Sequence, residues 1–274
     1  MVVAFLLIPL LQSFQYAITD WNGYSTTYKS VGLGNFIHAI FNDSLFQNSL
    51  ANTLKFTIVV VIVQTLLSLL LAVLLVKNSR INIVLRSLFF FPTILSSVAV
   101  GFIWAFIYDP TFGLAGGLLK SVGLGSLSGS YLGDQQAGIF WLALVQIWFH
   151  AGQLMVVFIA GLQLVPQEMY EAAEMDGASK WARFRSITWP MIAPATTIVV
   201  AYTTIQCFKA FDLILGIAGN PPSSGLDILS TRIYSSFANS QYGYASAESI
   251  IFMIVIGIVV LLQRGALRLT QARD

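Results

Sequence analysis

The chain has 274 residues, 57% of them hydrophobic and only 9% charged, with a formal net charge of +2. Soluble domains carry charge at about 25% of positions, so water cannot be the sole solvent of this surface. The small net charge gives no sign of a nucleic-acid partner, and a lone cysteine, Cys207, excludes a disulfide framework.

A helix crosses the hydrocarbon core with about 20 mainly apolar residues. Six runs of that kind are predicted in chain order. The first, Met1 to Thr19, opens with MVVAFLLIPLL, which lacks a basic start and a small-residue cleavage pattern. That argues against a secretory signal peptide, and the abrupt opening leads us to expect a longer natural N-terminus. A turn-rich segment follows at 20–49. The second run is Leu54 to Val76 and the third Ser87 to Tyr108. Residues 109–136 are rich in glycine and serine, including Gly123, Gly125, Ser126, Ser128 and Ser130, and read as a plain connection. The fourth run is Ala137 to Val165, the fifth Pro190 to about Leu215, and the sixth about Ala245 to Gln263. Between the last two, residues 219–231 (Gly219, Asn220, Pro221, Pro222 and onward) also read as a connecting loop. The expected fold class is all-α: a polytopic membrane protein with six transmembrane helices, the whole of 1–274 forming one domain.

Lysine and arginine set the orientation, because they are enriched in cytoplasmic loops. Lys77, Arg80, Arg86, Lys180, Arg183, Arg185, Arg264, Arg268 and Arg273 fall on one side, nine against Lys29, Lys55, Lys120 and Arg232 on the other. The nine-residue side is expected to be cytoplasmic, with both termini inside.

The most charged stretch is the inner connection 166–194, PQEMYEAAEMDGASKWARFRSITWPMIAP. Pro166 suits a helix's first turn, and Glu168, Glu171 and Glu174 meet its positive end. Gly177 offers a stop. A second short helix is expected from Ala178 to Trp189, with Trp181, Phe184 and Thr188 on one face. Pro190 and Pro194 mark the entry to the fifth span.

The run Glu171-Ala172-Ala173, then Gly177, Ile187 and Pro190, resembles the EAA motif of binding-protein-dependent ATP-binding-cassette importer permeases. Every spacing of that pattern is met, with Trp189 in place of the usual leucine. Tyr170, Asp176, Ala178, Trp181 and Phe184 resemble the carbohydrate-uptake, maltose-type branch. So do Asp20-Trp21-Asn22-Gly23, Gly32-Leu33-Gly34-Asn35-Phe36, Asn52-Thr53, Phe211-Asp212 and Tyr242-Gly243-Tyr244-Ala245. The turn at Ala218-Gly219-Asn220-Pro221-Pro222 departs from the T-x-G-G-P-like turn of that branch. The resemblance implies a permease subunit in the cytoplasmic membrane of a bacterium or archaeon, importing a sugar or oligosaccharide. Glycerol-3-phosphate-like substrates stay open. It implies partners: a second permease subunit in a heterodimer, two cytoplasmic ATPase subunits that bind ATP and magnesium, and an extracytoplasmic solute-binding protein. Glu171, Ala172, Ala173, Asp176 and Gly177 would then belong to coupling helices that dock on the ATPase.

This chain is expected to hydrolyse nothing and to hold no cofactor. It has no G-x-x-x-x-G-K-[ST] phosphate loop, and His38 and His150 stand apart from any metal-binding cluster. Polar groups inside spans are costly unless they face protein or a water-filled cavity. In the fourth span Gln146, His150 and Gln153 share one stripe, with Trp148 among them. The fifth carries Thr203, Thr204 and Gln206. The maltose-type resemblance implies that Trp148, His150, Gln153, Thr203, Gln206 and Cys207 fall at sugar-lining positions, of which position carries over and amino acid does not. For any one residue, interhelical hydrogen bonding is an equal alternative. An ion-driven secondary transporter would use buried charges instead, and Lys209 with Asp212 is the pair available for that.

Overall fold

The structure, a computed structural model, describes residues 5, 7–125, 129, 131–219 and 221–271, with side chains as far as 265. Met1, Ser126, Ser128, Ser130, Asn220 and Arg273 lie outside the described residues, as does the side chain of Arg268. Helix α1 is Ile8–Ala17, and α2 (Gly34–Ile37) continues as a π turn, His38–Asn42. Then come α3 (Ser44–Leu75), α4 (Arg80–Phe90), a 3₁₀ turn Phe91–Ile94, α5 (Ser97–Ile107), α6 (Leu114–Ser121) and α7 (Gly138–Gln163). Helix α8 (Gln167–Met175) precedes α9 (Lys180–Arg183), a π turn Phe184–Thr188 and α10 (Trp189–Met191). The chain ends with α11 (Ala193–Phe208), α12 (Phe211–Ala218), α13 (Leu229–Ala238) and α14 (Tyr242–Gln271). Among the described residues there is no strand, only an isolated bridge from Thr19 to Ser30. The all-α expectation holds.

Among the described residues, three helices are long and apolar enough to cross a membrane alone: Ser44–Leu75, Gly138–Gln163 and Tyr242–Gly265. Two broken pairs have the length and composition to supply two more, Arg80–Ile94 with Ser97–Ile107 and Lys180–Met191 with Ala193–Phe208. The expected first span is represented by the ten residues of α1. The expected third span is not one helix. Pro92 lacks an amide donor, the chain tightens into the 3₁₀ turn, and the helix stops at Leu95 and Ser96. The fifth run is also interrupted. Its helices bend by 65° near Ile192, and α11 ends at Phe208, with Lys209 and Ala210 outside any helix. Helix α3 starts ten residues before Leu54. Asp43 caps it, Oδ1 accepting the amides of Leu45 at 2.9 Å and Phe46 at 3.1 Å. Hydropathy marks where a helix enters apolar surroundings, whereas the cap marks where it begins.

The chain forms two compact units. One draws on residues up to 56, 97–142 and 208–259. Ala39, Phe46, Leu229 and Ile251 form one of its cores. Helices α5 and α12 meet at Gly101 and Gly216, so close that a Cβ on Gly101 would lie 2.8 Å from Gly216 backbone. Segment 219–231 is no plain connection. Leu226, Asp227, Ile228 and Leu229 are buried, Asn52 Nδ2 donates to the carbonyls of Ser224 and Asp227, and Thr53 Oγ1 accepts the Leu229 amide. These bonds are a physical reason for the Asn52-Thr53 pair.

The other unit draws on 57–96, 143–207 and the chain from 260. Leu69, Ala72, Leu154, Met155, Phe158, Ile192 and Val199 pack in its core. Arg86 closes the end of α3: Nε donates to Leu75 O at 2.9 Å and Nη2 to Val76 O at 2.7 Å, pairing carbonyls that have no intrahelical partner. Gly152 of α7 touches the α4 backbone, since a Cβ there would lie 1.9 Å from Phe89 O. Small residues permit such approaches between membrane helices.

Candidate functional site

The singled-out residues of the inner connection and the candidate path residues of the two polar spans belong to the second unit, whereas Lys209 and Asp212 belong to the first. In the connection, Pro166 is the N-cap of α8 rather than a residue of its first turn, and Glu168 lies in that turn. The C-terminus of α8 is closed by two bonds. The Ala178 amide donates to Ala173 O at 2.9 Å and the Gly177 amide to Glu174 O at 3.0 Å. This Schellman closure requires a left-handed residue, and Gly177 supplies φ +74°. Ser179 then caps the next helix by accepting the Ala182 amide at 3.2 Å. That helix begins at Lys180 instead of Ala178, and it passes through the π turn to Met191.

Side chains tie the two arms together. Arg183 Nη1 lies 2.9 Å from Glu174 Oε2, and the hydroxyls of Tyr170 and Thr188 are 2.9 Å apart. Thr188 is accordingly buried, while Trp181, 69% exposed, stacks on Phe184 at 5.7 Å. No residue of α8 is buried. Glu171, Ala172, Asp176 and Gly177 are exposed, and Ala173 is half-buried. Glu171 accepts only from Gln167 Nε2, its helical neighbour, at 2.9 Å. Beside them Met175 is 88% exposed. The result is a rigid corner presenting two alanines, a carboxylate and a methionine outward, with small residues where another backbone could come close.

In the spans, Gln146, His150 and Gln153 do share one stripe of α7. His150 Nδ1 lies 3.4 Å from Gln146 O, Gln146 is 2% exposed, and Gln153 Nε2 donates to the Tyr202 hydroxyl of α11 at 3.0 Å. Trp148 departs from that grouping. Two residues on, it sits across the helix, lining an apolar recess of about 380 Å³ with Leu67, Leu71, Phe89 and Phe91. On α11, Thr203 is buried and donates to Val199 O at 2.8 Å, so its hydroxyl serves its own helix. Thr204 Oγ1 lies 2.9 Å from Gln263 Oε1, and Cys207 is fully buried. Gln206 Oε1 is buried without a hydrogen-bond partner.

Two residues of this region were not singled out from the sequence. Tyr202 is one, an aromatic beside Thr203 and Thr204. Gln64 is the other: fully buried in α3, with neither amide atom hydrogen-bonded. A lone glutamine within IVVVIVQTLLSLLLAVLL was the available signal. Neighbouring Ser68 donates to Ala151 O at 2.9 Å, so a polar seam links α3 with α7. The pair offered for ion-driven transport does not form. Lys209 and Asp212 are both exposed, and the ion pairs among the described residues involve only Glu174–Arg183 and Arg232 with Asp43 and Glu248.

Comparison with known proteins follows this geometry. Residues 64–268 match the family described as binding-protein-dependent transport system inner membrane component. A probable starch degradation products transport system permease protein, AmyD of Thermoanaerobacterium thermosulfurigenes, is 29% identical over 98% of this chain and 89% of its own length. The diacetylchitobiose uptake system permease protein NgcF of Streptomyces coelicolor is 33% identical over 92% of this chain and 75% of its own. The fold is shared with a chain of a bacterial ABC transporter involved in the import of the acidic polysaccharide alginate. There the TM-score is 0.82 at 22% identity, covering 97% of this chain and 91% of that one.

Proposed function

The chain belongs to the inner membrane components of binding-protein-dependent transport systems, and from that membership we propose that it is a permease subunit of an ATP-driven importer of sugars or oligosaccharides. The observation that carries the coupling role is the exposed corner at 166–191, closed at Gly177 and bearing the fully spaced EAA pattern. The carbohydrate class is supported by relatives named for starch products and diacetylchitobiose, each matched over nine-tenths or more of this chain. The working assembly is this chain with a second, related permease as a heterodimer, two cytoplasmic ATPase subunits holding ATP and magnesium, and an extracytoplasmic binding protein. It spans the membrane six times with both termini inside.

Reconstituted into vesicles with its partners, the chain should accumulate oligosaccharide only with ATP. Uptake driven by an ion gradient without ATP would overturn this reading. For orientation, a cysteine at Ser179 should be shielded from an impermeant maleimide on intact cells, and one at Ser121 should be labelled, both in a Cys207→Ala background. Equal labelling of the two would reject the topology.

Glutamines in the spans are proposed to line the path, because amides can exchange hydrogen bonds with sugar hydroxyls. Gln153→Ala and Gln206→Ala should each lower the uptake rate about 3- to 10-fold, the loss of roughly one hydrogen bond. Both variants should still co-purify with the partner subunits. Loss of assembly would instead assign these residues to helix–helix bonding.

A further inference from the structure

The first unit contains a polar recess of about 400 Å³, lined by none of the residues discussed for the spans and the inner connection. Small-molecule sites start at about 300 Å³. Trp21 and Asn22 wall it after α1, Asn35 and His38 line it around α2, and Ser240, Gln241 and Tyr244 line it where α13 passes to α14. Its floor is a fixed ion pair. Asp43 Oδ2 accepts from Arg232 Nη2 at 2.8 Å and from the Tyr244 hydroxyl at 2.7 Å, while Oδ1 is held by the α3 cap. Arg232 Nε lies 3.5 Å from Glu248 Oε1 and has no hydrogen-bond partner among the described residues. Asp227, buried, accepts from Thr231 next door. Three carboxyl groups thus surround one guanidinium.

The walls offer polar groups that the chain does not use. Asn22 Oδ1 takes the amides of Tyr24 and Ser25, which leaves its amide nitrogen. Asn35 Nδ2 donates to Ala17 O and Thr19 O, which leaves its carbonyl oxygen. His38 and Gln241 are exposed. The ring of His38 lies tilted 5.4 Å from that of Tyr244. Ser240 adds a separate observation. It closes α13 as Gly177 closes α8, its amide on Phe237 O and the Gln241 amide on Ser236 O, yet it does so at φ +61° with a side chain. Glycine would fit there without strain, and strained residues cluster at ligand sites.

We propose that this recess binds a neutral pyranose ring, as a site separate from the path within the spans. Amide and imidazole edges suit adjacent sugar hydroxyls, and Trp21 and Tyr244 offer aromatic surface to the ring's C–H face. The excess of carboxyl groups works against a uronate. The ligand class rests on the carbohydrate reading above; the recess stands on its own geometry.

The test uses the purified full chain in lipid nanodiscs, with saturation-transfer NMR of maltotriose and of trigalacturonate. Maltotriose should bind and trigalacturonate should not. His38→Ala and Gln241→Ala, both exposed and with side chains outside the hydrogen bonds of the ion pair, should each weaken maltotriose about 3- to 10-fold without lowering the melting temperature. Wild-type binding that survives both recess variants and falls with Gln153→Ala would overturn the recess and leave the carbohydrate reading standing. Equal binding of trigalacturonate would overturn the stated ligand class. No wild-type signal at all would overturn the recess, and ATP-driven uptake in vesicles would still judge the function separately.

Discussion

Gly177→Pro is expected to abolish ATP-driven uptake while the chain still inserts and assembles in the membrane. Proline fixes φ near −65°, whereas Gly177 sits at +74°, and it deletes the amide that pairs with Glu174 O. The end of α8 would lose both its bonds and its direction. Arg183 and Thr188 would then no longer meet Glu174 and Tyr170 across the corner. Nothing else lies within 4 Å of a Cβ at this position, so the damage should stay in the connection. Gly177→Ala keeps the amide and meets only left-handed strain of about 1–2 kcal/mol, so it should retain part of the activity. Glu171→Lys is the complementary probe. Its carboxylate is exposed and bound only to Gln167, so reversal should not unfold the helix. Under the docking proposal it should remove substrate-stimulated ATP hydrolysis or detach the ATPase. Full uptake by Gly177→Pro and Glu171→Lys would show that this corner does not couple.

The helical class, the long second, fourth and sixth spans and the corner at 166–191 were legible because each rests on local signals. An apolar run of membrane length marks α3 and α7 whatever they pack against. Gly177 marks the stop, whereas the cap at Ser179 was passed over in starting the next helix at Ala178. What stayed hidden has two sources, local effects that hydropathy averages away and contacts distant in sequence. The break at Pro92 is a local effect that hydropathy smooths over. The interruption at Lys209 and Ala210 lies where α12 packs its glycine on α5, a contact set by Gly101 more than a hundred residues earlier. Trp148 was placed among the path residues by its position relative to the EAA pattern, and the apolar recess it lines is built with Phe89 and Phe91, residues distant in sequence. Thr203 was offered as a path-lining or a helix–helix bonding group, but a threonine in a helix can donate to the carbonyl four residues back, and this one does. Gln64 was passed over because its run is otherwise so apolar, the very setting in which an unpaired amide is most costly.

Arg232 was also misjudged, counted only as one of four positive charges on the outer side. It is 17% exposed and is the cation at which Asp43 and Glu248 meet, 9% and 0% exposed. Arg232→Met, which keeps much of the volume, should therefore destabilise the chain by about 3–5 kcal/mol, because it strands buried carboxyl groups. At a few degrees per kcal/mol, the melting temperature in detergent should fall by about 10 °C at pH 8. The pH dependence gives the cause away. In the wild type, burial pushes the Asp43 carboxyl up, but hydrogen bonds from Tyr244, the Phe46 amide and Arg232 together outweigh it and hold the group below its ordinary value. A depressed carboxyl contributes stability above that ordinary value and loses it as pH falls through the depressed one. Burial already pushes Asp227 up to about 6, with Thr231 and Arg232 opposing the rise. Without Arg232 both carboxyl groups move upward, and Asp227, already raised, takes up its proton in the folded state before the unfolded chain does. A group raised in this way gains stability as pH falls. The gap between variant and wild type should accordingly narrow from pH 8 to pH 5. A gap of constant size over that range would mean that Arg232 acts through packing alone, and a gap near zero at pH 8 would mean that the carboxyl groups do not depend on it.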